Sequence, residues 1–432
     1  MKVELRHFDV CPKVVRAGTE AEITIRPLAG RQRFDDASGW EVVVRRCEAV
    51  PDYTDPPAAL ACRDGALVVK AAFEGEQEHT LVVRPKGVED AKPIGKFSVY
   101  SVADDLMPLR PWKGDMHLHS FCSDGKDSPG HVAAACRRIG LDFMALTDHH
   151  RYAPSLEGIA AFEGVRTDLR MYPGEEVHAP DNSTHIINFG GSFSVNERCA
   201  DEKAYRAEVA EIERTLTGLN DKARFRYASC LWCYRQIAKG GGLSIFCHPY
   251  WIWCDRFNVA EAVIERHFAE MPFDAYEVIG GFGFDTVEAN FLQVARYYHE
   301  QARGRRIPVV GVSDAHSCET DHLFGWYYTI VLAMAPDFVD LVEAIRDCRS
   351  VAVEAMPGTP VRAHGPFRLV KYVHFLLREV LPLHDELCVE EGRLMLAHLS
   401  GDGEAPGELA RLSGRTSRLY ERLWGGGKTV SE

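Results

Sequence analysis

Short apolar segments alternate with helical patterns through the middle of this 432-residue chain, and that alternation predicts an α/β fold built on a barrel of parallel strands. Two further observations frame it. The first hundred residues carry short β-branched runs split by turn formers, and the chain beyond Pro357 reads as helical. The expected organisation is a β-sandwich-like domain over 1–108, a barrel over 109–356 and a mostly helical C-terminal extension over 357–432. The length alone supports two or three domains.

The elements follow in order. Ile23 and Ile25 alternate with polar partners, as on a half-buried strand. Val42–Val44, Leu67–Val69, Leu81–Val83 and Phe97–Val102 are further short strands, and their spacing suggests a small sandwich. The character changes near Pro108–Pro111. A helix opens at Ser128 and Pro129 and stops at Gly140, with cap, first-turn proline and terminal glycine in the expected order. Phe143–Leu146, Ile186–Phe189, Leu243–Phe246, Tyr276–Ile279, Val309–Val312 and Tyr327–Leu332 read as strands. Glu202–Leu219, Val259–Glu270, Val287–Arg303 and Phe367–Val380 read as helices. No internal repeat is visible.

Composition narrows the function classes. Hydrophobic residues make up 46% and charged residues 26%, a balance that buries sizeable cores. The formal net charge of −13 repels polyanions, so a long nucleic acid is not the expected partner, although bound metal would reverse the sign locally. The chain opens on a charged run without an apolar signal segment, and no stretch has the length of a membrane span, so a cytoplasmic location away from membranes is expected. Thirteen cysteines lack a disulfide rhythm; the lone Cys230-x-x-Cys233 reads as reduced thiols beside a helix core of Leu231, Trp232 and Tyr234.

The His and acidic residues fall in a pattern that packing does not explain. His117 and His119 are two apart, so on a strand they share a face and can grip one ion. Asp124 follows in Ser123-Asp124-Gly125. One apolar strand runs into Thr147-Asp148-His149, one into Cys247-His248-Pro249 and one into Ser313-Asp314-Ala315-His316. Glu175-Glu176 follows Gly174, and His185 immediately precedes a strand. Strand C-termini are where barrel enzymes collect their catalytic groups. Imidazole with carboxylate suits zinc, iron or manganese.

These segments in this order resemble the PHP (polymerase and histidinol phosphatase) family: Asp115-Met-His-Leu-His119, Ser123-Asp-Gly125, Thr147-Asp-His149, Gly174-Glu-Glu176, His185-Ile186, His248-Pro249 and Ser313-Asp-Ala-His316. The match covers residues 112 to 320. The resemblance implies a distorted (β/α)7 barrel with two or three divalent ions at its mouth. One ion would take His117, His119, Glu176 and Asp314, which the resemblance makes the catalytic set. A second would share Glu176 and add His185 and His248. A third would take Asp124, His149 and His316. Glu176 is preferred to Glu175 because the family's ligand is the second residue after the glycine.

The implied activity is metal-dependent hydrolysis of a small phosphorylated substrate by a metal-bridging hydroxide. A nuclease acting on short oligonucleotides or nucleotide bisphosphates is the alternative, with a non-catalytic metal-binding module behind it and an amide hydrolase more distant. Asp148 reads as an orienter of neighbouring groups. His131, His150, His178 and His322 read as supporting or solvent-facing. Arg151, Arg235 and Arg256 are candidate phosphate clamps, each read first as a surface residue. Tyr250, Trp251 and Trp253 could wall a pocket over the ions. Glu277 resembles a family acid but stays outside the ligand set. The substrate's identity and the oligomeric state are not readable.

Overall fold

The computed structural model describes residues 2 to 426 except 29, 32, 51–54, 56, 89–91 and 320–322. His322 and the extreme C-terminal tail therefore lie outside the described residues. The chain divides into two compact units, 1–110 with 371–387 and 414–432, and 111–370 with 388–413.

In the first unit the short β-branched runs become strands. β1 (Phe8–Cys11), β3 (Thr19–Pro27), β6 (Ala66–Phe73) and β5 (Ala59–Arg63) form one four-stranded sheet. β2 (Val14–Arg16), β8 (Gly95–Val102), β7 (Gln77–Pro85) and β4 (Trp40–Arg46) form another. Alternation does the work: Ile23, Ile25, Val42 and Val44 point inward with Leu67, Val69, Leu81, Val83, Phe97 and Val99 into one shared core. The helix Phe367–Glu379 adds Glu379, whose Oε2 sits 2.9 Å from Lys13 Nζ with both side chains buried.

The second unit is mixed α/β. β9 (Arg110–Asp115), β10 (Phe143–Ala145), β11 (Arg170–Tyr172), β19 (Tyr327–Ala333), β20 (Ser350–Glu354) and β21 (Arg362–His364) make a six-stranded sheet in the order β11-β10-β9-β19-β20-β21. β12 (Gly174–Val177), β13 (Ile186–Phe189), β14 (Leu243–Phe246), β17 (Ala275–Ile279) and β18 (Val309–Gly311) make a five-stranded one in chain order. Between β14 and β17 lies a small hairpin, β15 (Ile252–Trp253) with β16 (Arg256–Phe257). The strand ladders thus form two sheets, linked by isolated bridges between Leu118 and Ala315 and between His149 and Glu176.

Pairing is only partly parallel. β9/β10, β14/β17 and β17/β18 are parallel, each joined through a helix, whereas β12/β13 and β13/β14 are antiparallel. The connection from Val177 to Ile186 is too short for a crossover helix, so the strand can only turn back. The helix Pro129–Arg138 starts where its caps place it: Ser128 Oγ accepts from His131 N and Pro129 occupies the first turn. The expected helix Glu202–Leu219 ends earlier, at Glu213, before Gly218 at φ 80° and the Asn220 cap of the helix Asp221–Lys239. That long helix buries Tyr227, Cys230, Trp232 and Cys233 in the core. All thirteen cysteines are free thiols.

Candidate metal centre

Two ligand-bearing stretches meet beyond β9. Asp314 N donates to His117 O at 2.9 Å and His119 N to Ala315 O at 3.0 Å, so His117–His119 and Asp314–His316 run side by side. Asp115 fixes both, its Oδ1 accepting from His117 N at 3.1 Å and Ser313 N at 3.2 Å. Burial pushes the Asp115 carboxyl up to about 7. Asp314 Oδ1 then lies 3.2 Å from His117 Nε2 and 2.9 Å from His119 Nε2.

Glu176 stands at the centre of the cluster. Its Oε2 is 3.6 Å from His117 Nε2 and 3.7 Å from His119 Nε2, and its Oε1 is 2.8 Å from His185 Nδ1 and 3.3 Å from His248 Nε2. Glu175, on the opposite face, accepts from Val195 N, Ser194 Oγ and the side-chain amides of Asn188 and Asn196, and so serves the helix Val195–Cys199. Gly174 lets this strand close on β10: a Cβ there would stand 2.9 Å from Thr147 Cγ2 and 3.0 Å from Leu146 O.

A third grouping lies at the rim. His149 Nε2 is 3.5 Å from Asp124 Oδ2, and His316 Nε2 is 3.3 Å from Asp124 Oδ1. The rings of His149 and His316 each stack 4.3 Å from His119. Asp148 holds the loop that carries Asp124: it accepts from Ser120 N and Oγ, both at 2.9 Å, and from Ser123 N and Oγ at 3.1 and 2.6 Å. Gly125 is needed there, since a Cβ would stand 2.7 Å from His119 O.

The nine residues singled out as ligands therefore converge on one place. Ligand-type atoms of His119, Asp124, His149 and His316, of His117, Glu176 and His248, and of His117, His119 and Asp314 each lie within 4.8 Å of one another. Asp314 and His248 adopt φ of 53° and 22°, left-handed backbone that costs about 1–3 kcal/mol and concentrates at functional sites. Burial disfavours the charged carboxylates, but facing imidazoles outweigh it: His185 and His117 hold Glu176 well below the usual range, and His117 and His119 do so for Asp314. The imidazoles divide. Burial opposes charge on both, yet Asp314 and Glu176 hold His117 well above its usual value, whereas burial wins at His119 and lowers it to about 4.

The donor set fits divalent cations. His117 Nε2, Glu176 Oε2 and His185 Nδ1 are buried and make no hydrogen bond among the described residues, although each faces another ligand-type atom. Buried polar atoms left unpaired are costly, and a cation shared between them removes the cost. Mixed imidazole and carboxylate donors suit zinc, iron or manganese.

The other residues singled out in the sequence take these places. His178, read as supporting or solvent-facing, takes the supporting place, with its Nε2 2.9 Å from His149 Nδ1 and 3.3 Å from Glu176 Oε2. The signal was present: His178 is two residues past Glu176, the spacing that paired His117 with His119. Glu277 is fully buried with Oε2 3.4 Å from His117 Nδ1, a placement that orients the imidazole. His150 is exposed, and its ring lies tilted against that of His178 at 4.4 Å. Arg151, Arg235 and Arg256 are exposed and none lines the cavity over the cluster. That cavity, about 290 Å³, is lined by Asp124, His149, His185, His248, Asp314 and His316 with Trp251, Phe282 and Leu323. Trp253 is 63% exposed and packs 5.6 Å from Trp251, while Tyr250 is buried against Phe257.

No family model matches the chain. Over 66 residues, 15% of the chain, it is 42% identical to the DNA polymerase/3'-5' exonuclease PolX of Bacillus subtilis, and that match spans 12% of the relative's length. Among solved structures, a two-domain protein of Bacteroides vulgatus containing a predicted PHP-like metal-dependent phosphoesterase aligns over 57% of this chain and 66% of its own, at 19% identity and a TM-score of 0.41. An amidohydrolase of Chromobacterium violaceum with bound sulfate and no metal aligns over 48% of this chain and 89% of its own, at 19% identity and a TM-score of 0.29. The ordered His, Asp and Glu motifs converge around one cavity, as the resemblance to the PHP family implies, and a 66-residue stretch is similar to PolX.

Proposed function

We propose that this protein is a metal-dependent phosphoesterase acting on a small phosphorylated substrate, with two or three divalent ions held by His117, His119, Asp124, His149, Glu176, His185, His248, Asp314 and His316. The observation that carries the reading is the meeting of these side chains, drawn from distant parts of the chain, around a cavity of about 290 Å³. We further propose that residues 109–356 act as a distorted seven-stranded barrel. The bridges Leu118–Ala315 and His149–Glu176 support it, because they would close β9, β10, β12, β13, β14, β17 and β18 into a ring. In this reading residues 1–108 supply no ligand.

When bound, the ions supply Lewis acidity towards phosphoryl oxygens and acidify water. The chain's own groups do the rest. Glu176 offers both oxygens, Oε2 towards His117 and His119 and Oε1 towards His185 and His248, and so ties two donor groups together. Glu277 fixes the His117 ring through Nδ1 and leaves Nε2 pointing at Asp314 and Glu176. Trp251, Phe282 and Leu323 form an apolar wall that limits water on one side and suits the non-phosphate part of a small ester.

Hydrolysis of phosphomonoesters, nucleotide bisphosphates and oligonucleotides of increasing length by the metal-loaded protein tests the proposal. We expect two or three transition-metal ions per chain, the highest efficiency on a small ester, and loss of turnover in His117→Ala and Asp314→Ala with the fold kept. Fewer than one ion per chain after metal supply refutes it. Trp251 in the cavity wall, with the exposed Trp253 packed 5.6 Å from it, favours one second reading, a nuclease that stacks a base. Efficiency that climbs with oligonucleotide length and falls steeply with salt selects that reading.

A further inference from the structure

His149 presents its two ring nitrogens to different neighbours. Nε2 faces Asp124 at 3.5 Å, in the rim group with His119 and His316. Nδ1 lies against Glu176 Oε2 and 2.9 Å from His178 Nε2. One N–H on Nδ1 can serve only one acceptor at a time, and the tautomer it selects decides whether Nε2 keeps its lone pair. Glu176 has other claims on both oxygens: His117 and His119 approach Oε2 while His185 and His248 approach Oε1. If Glu176 is committed to cations, the acceptor left for His149 Nδ1 is His178 Nε2.

The chain holds His178 in place for this role. Its backbone N donates to Asn196 Oδ1 at 3.0 Å, and Asn196 Nδ2 donates to Glu176 O at 2.9 Å, so one asparagine locks both residues. The ring packs 3.9 Å from His185 and 4.4 Å from His150.

We propose that His178 is a positioning residue: it accepts the Nδ1 hydrogen of His149 and so keeps His149 Nε2 available to the site formed with Asp124 and His316. The inference rests on the metal-binding reading above. It also ranks the sites, because His178 Nε2 is nearer His149 Nδ1, at 2.9 Å, than Glu176 Oε2, at 3.3 Å, so the rim site should respond most.

The test uses the full chain as wild type, His178→Ala and His178→Gln, titrated separately with manganese and zinc, with bound ions counted by elemental analysis and site affinities read by calorimetry. We expect His178→Ala to weaken one site by about 10- to 100-fold and the others by much less. His178→Gln, whose amide oxygen can accept in place of Nε2, should restore most of that loss. Because the side chain is only 18% exposed, truncation in His178→Ala should lower the metal-free melting temperature somewhat, whereas His178→Gln should stay near the wild type. A packing role would instead weaken all sites alike and gain nothing from glutamine; that pattern, or three ions at wild-type affinity in His178→Ala, overturns the inference. A wild type that holds two ions overturns it alone. A wild type that holds none overturns the proposed function as well.

Discussion

Replacing Asp148 by alanine removes a buried carboxylate that touches no proposed ligand yet holds one in place. The side chain is 1% exposed and accepts four hydrogen bonds, two from backbone N–H groups of Ser120 and Ser123 and two from their hydroxyls. The hydroxyls can rotate to other acceptors, but the two N–H groups cannot. Hydrogen bonds to a charged acceptor contribute about 1.5–3 kcal/mol each, so losing the two backbone bonds costs about 3–6 kcal/mol. Water entering the vacated polar space offsets part of this and places the expected loss near about 3 kcal/mol. The freed segment carries Asp124, so the rim site should weaken by about 10-fold or more while the sites sharing Glu176 persist. Urea unfolding of the metal-free chain reads the first effect, and ion counting at limiting metal reads the second. An unchanged unfolding midpoint with three ions retained would refute the view that Asp148 organises this loop.

Other perturbations separate neighbouring roles. Glu176→Gln should abolish tight binding at two sites and end turnover, whereas Glu175→Gln should lower the melting temperature and leave the ion count intact, because Glu175 serves the helix Val195–Cys199; a reversed outcome in paired melts and metal analyses would exchange their roles. His267 is fully buried, donates to Val263 O at 2.7 Å and stacks on Phe246, and burial depresses its pKa to about 4. The unfolded chain, with a pKa of about 6.5, binds the extra proton first as pH falls. Stability from this group is therefore complete above about pH 6.5 and is lost on acidification towards 4, by up to about 3 kcal/mol. His267→Phe should flatten the urea midpoint against pH over that window, and an unchanged slope would contradict the assignment.

Much of the architecture was legible because it is written in local periodicity. Alternation at Ile23 and Ile25 reports which face of a strand is buried, the run Leu243–Phe246 is a strand buried on both faces, and Ser128, Pro129 and Gly140 punctuate a helix through backbone chemistry that needs no distant partner. The chemistry-bearing residues were legible for a related reason: imidazoles and carboxylates at strand ends have no local packing explanation, and their order matches a known motif set. Partnerships are different, because they depend on which segments fold together. The short connection after Val177 turns β13 back on β12, but nothing in it states that β14 also pairs antiparallel with β13, or that 371–387 and 414–432 join the first compact unit. Only the fold put Glu277 against His117, turned Glu175 away from the cluster and aimed Glu176 into it. His178 shows the boundary most clearly. Its spacing from Glu176 could be read from the chain, but its claim on His149 Nδ1 exists only because β10 and β12, joined at the His149–Glu176 bridge, bring the two rings within 2.9 Å. Sequence specifies which groups are present and which face they take, and tertiary packing decides which atoms compete for the same proton or ion.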